Sequence, residues 1–504
     1  MRVVLVGDIG WRDLYHLGDE AMTEVALDEL QRRGITDITL IGGHPESATA
    51  RYGVPSIHRI GFRGTPDRSH NIARHTAVTE AARGVRSLPE GDSAGAVIEA
   101  VREADAVLVA GGGNLNSFFP QHIFERASLG AVAAELGRPY AFTSQTVGPL
   151  IRRQDRPHLE PLLGSAVAFG ARERTTFDLV GTLGAAKQRV ALSMDDAFGL
   201  RPREADVAAV ARHRRRRHIV ASFAENPSTP VIGKDAYYRL IGRTLVQLAD
   251  LYDADVLLVP HAGTFEPGGG SRDQISNEKI AGYAGDDRVQ PLPMLTAREV
   301  AALTRDAALV TGTRYHPAII AASEATPALS IAPTQYSSVR MRGAAANVGM
   351  QDYVLGLASW QSGEVLTAAR ELLDADDAVR AHLRTVAERR TGDHKAWWDA
   401  LVRALDSGRP LAPGDYLPSV APFTSPGTWA TAAGDLLDAT ERYDRERMVQ
   451  KWRIDELEGE VRRLSGALAK ARQGNSGLRR WKRRLARFVP AAVRTRLRRP
   501  ARAA

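Results

Sequence analysis

Short apolar runs alternate with longer amphipathic stretches along most of this chain, and that alternation limits what it can fold into. The runs at 3–6, 38–41, 106–110, 140–143, 166–169 and 190–192 are too short for helices and read as buried strands. Between them, residues 19–33, 95–103, 122–136 and 175–183 carry helical spacing. Strands that alternate with helices of this length make βαβ units around a parallel sheet. The run His213-Arg-Arg-Arg-Arg-His218 interrupts the pattern and reads as a solvated helix end or a phosphate-binding patch. The alternation then restarts, with strands expected at 219–223, 256–259, 308–310 and 328–331. Helices are expected at 234–251, 276–283, 297–303 and 317–323, with a shorter one near Arg340. Two trailing helical stretches follow, 363–389 and 394–405.

The remaining hundred or so residues differ in kind. Pro410, Pro413, Pro418, Pro422 and Pro426 mark an extended linker. Beyond it Ile454, Leu457, Val461, Leu464 and Leu468 repeat at heptad spacing, as a lone amphipathic helix or a coiled-coil homodimer through residues 454–468 would require. Leu478, Trp481, Leu485 and Phe488 then share one helical face amid arginines and lysines. That composition suits a helix lying on an anionic membrane surface, or an RNA-binding tail. The expected divisions are 1–212 and 213–406 for two α/β domains, 407–432 for the linker, 433–473 for the long helix and 474–504 for the basic tail.

Charge sharpens this division. The net charge of +8 hides a tail, residues 461–504, with 15 Lys or Arg and no Asp or Glu; the other 460 residues carry a net of −7. A mildly acidic body does not coat nucleic acid, so no specific nucleic-acid partner is expected. The absence of cysteine excludes a disulfide scaffold, an iron–sulfur protein, a cysteine nucleophile and a thiolate zinc site. No stretch approaches the ~18 apolar residues of a membrane-spanning helix. The expected location is the cytoplasm, on the inner face of the plasma membrane. No metal-binding spacing, Walker motif, GxSxG elbow or GxGxxG loop occurs.

In doubly wound sheets, ligands sit beyond the carboxyl ends of strands. Four segments there carry usable chemistry. His16-Leu17-Gly18-Asp19-Glu20-Ala21-Met22 offers Gly18 for close approach and Asp19 as a helix cap or an acid–base group. Gly111-Gly112-Gly113-Asn114 follows a strand, where its amides can form an anion-binding concavity or simply permit close packing. Ser144-Gln145-Thr146-Val147-Gly148 places Gln145 where it can bond a sugar hydroxyl. Thr313-Arg314-Tyr315-His316-Pro317 is the most informative, because Pro317 suits a helix first turn and so sets Arg314 and His316 at a helix N-terminus. A guanidinium grips carboxylate or phosphate at two points, and an imidazole moves a proton near neutral pH.

Taken in order, GDEAM, GGGNL, SQTVGPL, ARERTT with DDAFGL, and GTRYHPAIIAASEATPALSI resemble the polysaccharide pyruvyl transferase family over about residues 1–355. The resemblance implies two Rossmann-like domains facing a cleft, GT-B-like, here with a C-terminal helical extension. It implies phosphoenolpyruvate as donor, a lipid-linked or polymeric glycan of the cell envelope as acceptor, a ketal as product, and no cofactor. Arg314 and His316 match the family's Arg-x-His motif, with His316 expected as proton donor, Arg314 as anion clamp and Asp19 on the acceptor side. Gly18, Gly111, Gly112, Gly113, Asn114, Gln145, Tyr336 and Arg340 are the expected substrate contacts. This sequence departs from the family in three places. His16 stands where Asn is common, residues 263–271 form an insertion, and Val339 with Arg340 follows Tyr336 where the family often has Lys. Two other functions fit the residues. One is a GT-B glycosyltransferase using a nucleotide sugar, with Glu324 as the candidate to hold a ribose. The other is a non-catalytic glycan-binding protein at the membrane surface.

Overall fold

The computed structural model describes residues 1–12, 14–62, 68–214, 216–226, 231–266, 270, 272–423 and 429–473. Two parallel sheets organise it. The first runs Ser56–His58, Ile38–Gly42, Val3–Val6, Ala106–Val109, Tyr140–Val147, Ala168–Ala171, Val190–Leu192, with Gly112–Leu115 paired beside Tyr140–Val147. The second runs Val289–Pro291, Asp255–Leu258, His218–Ser222, Leu309–Gly312, Ala328–Ala332, Val354–Gly356. Each sheet puts its first strand in the middle, with the second and third to one side and the later ones to the other. That is the doubly wound order, and it opens a crevice where the first and fourth strands part. Val3–Val6 and Ala106–Val109 are buried at every residue, as expected of parallel strands covered on both faces. The apolar runs therefore locate the central strands. Ser56–His58, Val289–Pro291 and Val354–Gly356 escape that reading because polar residues, proline or glycine break runs that are only three residues long.

A third, two-stranded sheet joins the halves. Tyr15–His16 pairs antiparallel with Ala262–Gly263, and the Leu17 amide donates to the His261 carbonyl at 2.9 Å. Two-residue strands leave no signal in a sequence, so this link was not anticipated.

Three findings bear on the expected divisions. First, helix Asp376–Ser407 belongs to both halves. Its start buries Val379, Leu383 and Val386 with the second sheet's core. Its end buries Trp397, Trp398 and Leu401 with Val3, Leu5 and Leu108 of the first. Trp398 Nε1 donates to Asp196 Oδ1 at 3.0 Å, tying the helix to the DDAFGL string. Second, the Pro-rich segment is strapped down rather than free. Leu411 and Leu417 are buried, the Leu411 amide donates to the Val167 carbonyl, and the Phe423 amide donates to the Gly349 carbonyl. Third, the arginine run is a helix end. Arg214 pairs with Asp306 and Arg216 with Asp255.

The chain divides into residues Met1–Glu441 and a second unit from Arg442. Helix Trp429–Gln473 carries the heptad positions, with Ile454 and Leu457 exposed. Among the described residues no helix is long and apolar enough to cross a membrane. The basic face built on Leu478, Trp481, Leu485 and Phe488 lies outside the described residues.

Candidate active site

The crevices of the two sheets face one another and form a cleft of about 680 Å³. Its walls come from loops beyond the carboxyl ends of several strands in each sheet, those after the fourth strands among them. The first half contributes Asp8, Trp11, His16, Asp19, Gly113, Asn114, Phe119 and His122, and Arg172 from beyond a later strand. The second contributes His261, Arg314, Tyr315, His316, Tyr336 and Arg340.

The Arg314–His316 loop is set by Gly312. Gly312 has φ +147°, and a side chain there would begin 1.9 Å from the Ser222 carbonyl oxygen. That oxygen instead accepts from the Thr313 and Arg314 amides, which turns the chain sharply into helix His316–Ser323. His316 ends up buried against Gly18 of the other half. A side chain at Gly18 would start 1.8 Å from His316 Nδ1, so only glycine lets the two halves meet here. His316 Nε2 is buried without a hydrogen-bond partner. Burial first, and then the cations of Arg172, Arg340 and Arg314 with His16, push the His316 imidazole well below its ordinary value. His261 stacks on it, ring centroids 5.5 Å apart and 10° between planes, and is likewise held low, chiefly by burial. Both imidazoles rest neutral.

Two guanidiniums converge on one point of the cleft. A side chain at Gly113 would start 2.7 Å from Arg172 Nη2, 3.0 Å from Arg340 Nη1 and 3.4 Å from the Tyr336 hydroxyl. Arg172 is fully buried; its Nη1 is paired with Asp195 at 2.6 Å, while Nη2 has no hydrogen-bond partner. Arg340 stacks on the Tyr336 ring at 3.9 Å, and Tyr336 donates to the Gly113 carbonyl at 2.5 Å. The space left by Gly113 is thus a cationic cradle. Arg172 is the second residue of the ARERTT string, and its place directly after the buried strand Ala168–Ala171 is the signal in the sequence that points to it.

Several expected contacts do something else. Arg314 lines the cleft, but its fork is committed to buried Asp273, Nε at 3.0 Å and Nη2 at 2.5 Å. That pair places a carboxylate against the guanidinium at the cleft wall. Gln145 lies away from the cleft, because Tyr140–Val147 continues as a strand through the expected loop and buries every residue. Its amide donates to the Ala110 carbonyl. Gly111 and Gly112 do not line the cleft either. Gly112–Leu115 is a strand rather than an open nest, and Gly111 makes room for Ser144 and Met22. Asp19 does not cap its helix, which begins two residues earlier at Leu17; its carboxylate sits 2.7 Å from His16 Nδ1. Asn114 faces the cleft and donates to Asp8 at 2.9 Å. Asp8 also pairs with Arg59, and its carboxyl stays far below the carboxylate range although burial opposes this. Beside it Trp11 and Phe119 are 39% and 46% exposed, large for apolar rings at a cleft.

Solved structures share the two-sheet arrangement. They include S. aureus MnaA with UDP, with TM-score 0.52 and 13% identity over 82% of this chain and 100% of that one. A putative UDP-N-acetylglucosamine 2-epimerase from Listeria monocytogenes gives 0.55 and 12% over 82% and 99%. Anabaena HepE with UDP and glucose gives 0.51 and 11% over 81% and 100%. At such identity the likeness concerns the fold alone, which is GT-B-like with two Rossmann-like domains facing a cleft and a C-terminal helical extension. No curated protein matches the chain. A family model does, over residues 16–335, which contain His16, Asp19, Gly113, Arg172, His316 and most of the second sheet, and which end just before Tyr336 and Arg340. Those residues are more than half of the chain, and the chain belongs to the polysaccharide pyruvyl transferase family.

Proposed function

We propose that the protein transfers the pyruvyl group of phosphoenolpyruvate to a glycan diol, forming a pyruvate ketal and releasing phosphate. The observation that carries this reading is the cradle at Gly113, where Arg172 and Arg340 converge beside a neutral, unbonded His316 Nε2. Phosphoenolpyruvate brings a carboxylate and a phosphate, and fixed guanidiniums answer both. Its negative charge also reverses the electrostatics around His316. Bound anions offset the cations that hold the imidazole down, so His316 takes up a proton with the substrate. It can then deliver that proton to the methylene carbon, and positive charge develops at the adjacent carbon. The opposite wall suits a sugar. Asp8 and Asn114 offer hydrogen bonds to hydroxyls, and Trp11 and Phe119 offer flat apolar faces.

The structure gives the nucleotide-sugar alternative no support at the residue expected to carry it. Glu324 is buried and paired with Arg305 at 2.8 Å, and it does not line the cleft. The deciding experiment offers phosphoenolpyruvate and UDP separately and reads thermal stabilisation. It then follows phosphate release with glycosides bearing 1,2- or 4,6-diols. Stabilisation by phosphoenolpyruvate and diol-dependent phosphate release are expected; stabilisation by UDP alone would replace this reading with the glycosyltransferase one. A lipid-linked acceptor would give the basic tail a purpose, since each Lys or Arg near an anionic leaflet contributes about 1 kcal/mol. Co-sedimentation with anionic vesicles at low salt, lost on truncation after residue 441, is the expected result.

A further inference from the structure

Asp19 holds the nearest polar atom to His16, yet nothing in the reading above gives His16 work. The ring lines the cleft with its side chain 30% exposed. Its Nδ1 is buried 2.7 Å from the Asp19 carboxylate, an ion-pair approach without hydrogen-bond alignment, and the ring borders the cleft. The backbone fixes the ring from both ends. His16 pairs with Ala262 in the two-stranded link, and the next residue begins helix Leu17–Arg32. The ring stands edge-on to His261, centroids 5.7 Å apart, and His261 in turn stacks on His316. A carboxylate set against one nitrogen of an imidazole that borders a cleft is an arrangement suited to a general base.

We infer that His16, oriented by Asp19, is the base that removes the proton from the first attacking hydroxyl of the acceptor. The inference rests on the pyruvyl-transfer reading above. In the addition step the hydroxyl O–H bond breaks to His16 Nε2 while its oxygen bonds to the enol carbon. The enol double bond takes the proton of His316 at the methylene. In the second step the carbon–oxygen bond to phosphate breaks, and His16 gives its proton to the departing phosphate. The second hydroxyl bonds to the same carbon and its proton restores protonated His316. Of the two hydroxyl protons, one ends on the new methyl group and one on phosphate, so the cycle closes. Asp19 is a positioning residue here, since it acts through His16.

The charged groups around His16 set the sign of the test. Asp19 and Asp8 favour its protonated form, Arg314 and burial oppose it, and the neutral rings of His261 and His316 complete its surroundings. The balance leaves His16 above its ordinary value, with Asp19 the largest favourable contribution. A base must be unprotonated, so kcat/KM should rise with pH through that value. Asp19→Asn removes the contribution, so this acidic limb should move to lower pH while the plateau falls. His16→Asn should lower kcat by ~10²–10⁴-fold, the usual weight of acid–base catalysis. Phosphoenolpyruvate should still bind it, as read by ³¹P NMR line broadening. An unmoved limb in Asp19→Asn, or near-normal kcat in His16→Asn, would overturn the assignment alone. A wild-type protein that releases no phosphate from phosphoenolpyruvate with any diol would overturn the pyruvyl-transfer reading and this one with it. Should His16→Asn fail to fold, Asp19→Asn decides by its limb, because it leaves the ring in place.

Discussion

The loops after the first and fourth strands of the two sheets occupy equivalent places, yet they carry opposite charge. In the first half those loops bring Asp8, Asp19 and Asn114 to the cleft, with Trp11 and Phe119 exposed beside them. In the second half they bring Arg314, Tyr315 and His316, and the next strand–helix junction adds Tyr336 and Arg340. One topology therefore builds a wall suited to a neutral polyol and a wall suited to an anion. The division is not clean at one point. Arg172 comes from the first half and crosses to the basic wall, where Asp195 at 2.6 Å and the Tyr315 ring at 4.5 Å hold it. The lesson is that the fold fixes where a site can be, while a few loop residues decide what it takes.

The sharpest way to break the comparison is at the buried His316. His316→Ala should lower kcat by ~10²–10⁴-fold and leave the melting temperature within a few degrees of the parent; a near-normal kcat would refute the division of labour. A smaller effect is expected at Arg340. Losing its charged contact is worth ~1.5–3 kcal/mol, so Arg340→Ala should raise the KM for phosphoenolpyruvate by about 10- to 100-fold with less change in kcat. If the acceptor KM rises instead, the walls have been assigned the wrong way round. Trp11→Ala should raise the acceptor KM only several-fold, given ~0.5–1.5 kcal/mol for a ring contact, and should leave phosphoenolpyruvate binding untouched in direct titration.

The least dramatic test is stability against pH. His261 and His316 are held well below their ordinary value, and burial first of all brings His122 and His158 to about 4. Each binds fewer protons folded than unfolded below about pH 6.5, so stability should fall as pH drops from there toward 4. Glu20, raised to about 7 by burial, has the opposite sign and offsets part of this. Thermal melts between pH 7.5 and 4.5 should show the decline. His316→Gln should flatten it; an unchanged slope would mean that His316 does not rest neutral.

Much of the scaffold was legible because central parallel strands are buried on both faces and leave unbroken apolar runs. The place of His316 was legible for a different reason. Pro317 marks a helix first turn, which sets the residues just before it at a helix N-terminus. Gln145 was misplaced because Ser144, Gln145 and Thr146 are polar and looked like a loop, whereas partners inside the protein, such as Asp196, Ala110 and Glu173, satisfy each of them within a strand. Gly113 was singled out for its amides, but it matters for the side chain it lacks. That could not be seen without knowing which guanidiniums meet there. The Pro-rich segment looked free because composition reports stiffness and not attachment.

Gly18 and the Tyr15–His16 pairing with Ala262–Gly263 have a consequence for the cost of binding. The two halves touch across His316 and are paired through the two-stranded sheet. Helix Asp376–Ser407 is packed into both cores and stays the same two bodies from behind. A substrate entering this cleft does not have to draw distant domains together. Little of its intrinsic affinity is consumed in ordering the protein, and more of it remains for distorting and polarising the reacting group. Turnover should therefore be governed by chemistry or by product escape through the open side of the cleft, with interdomain motion contributing little to the rate.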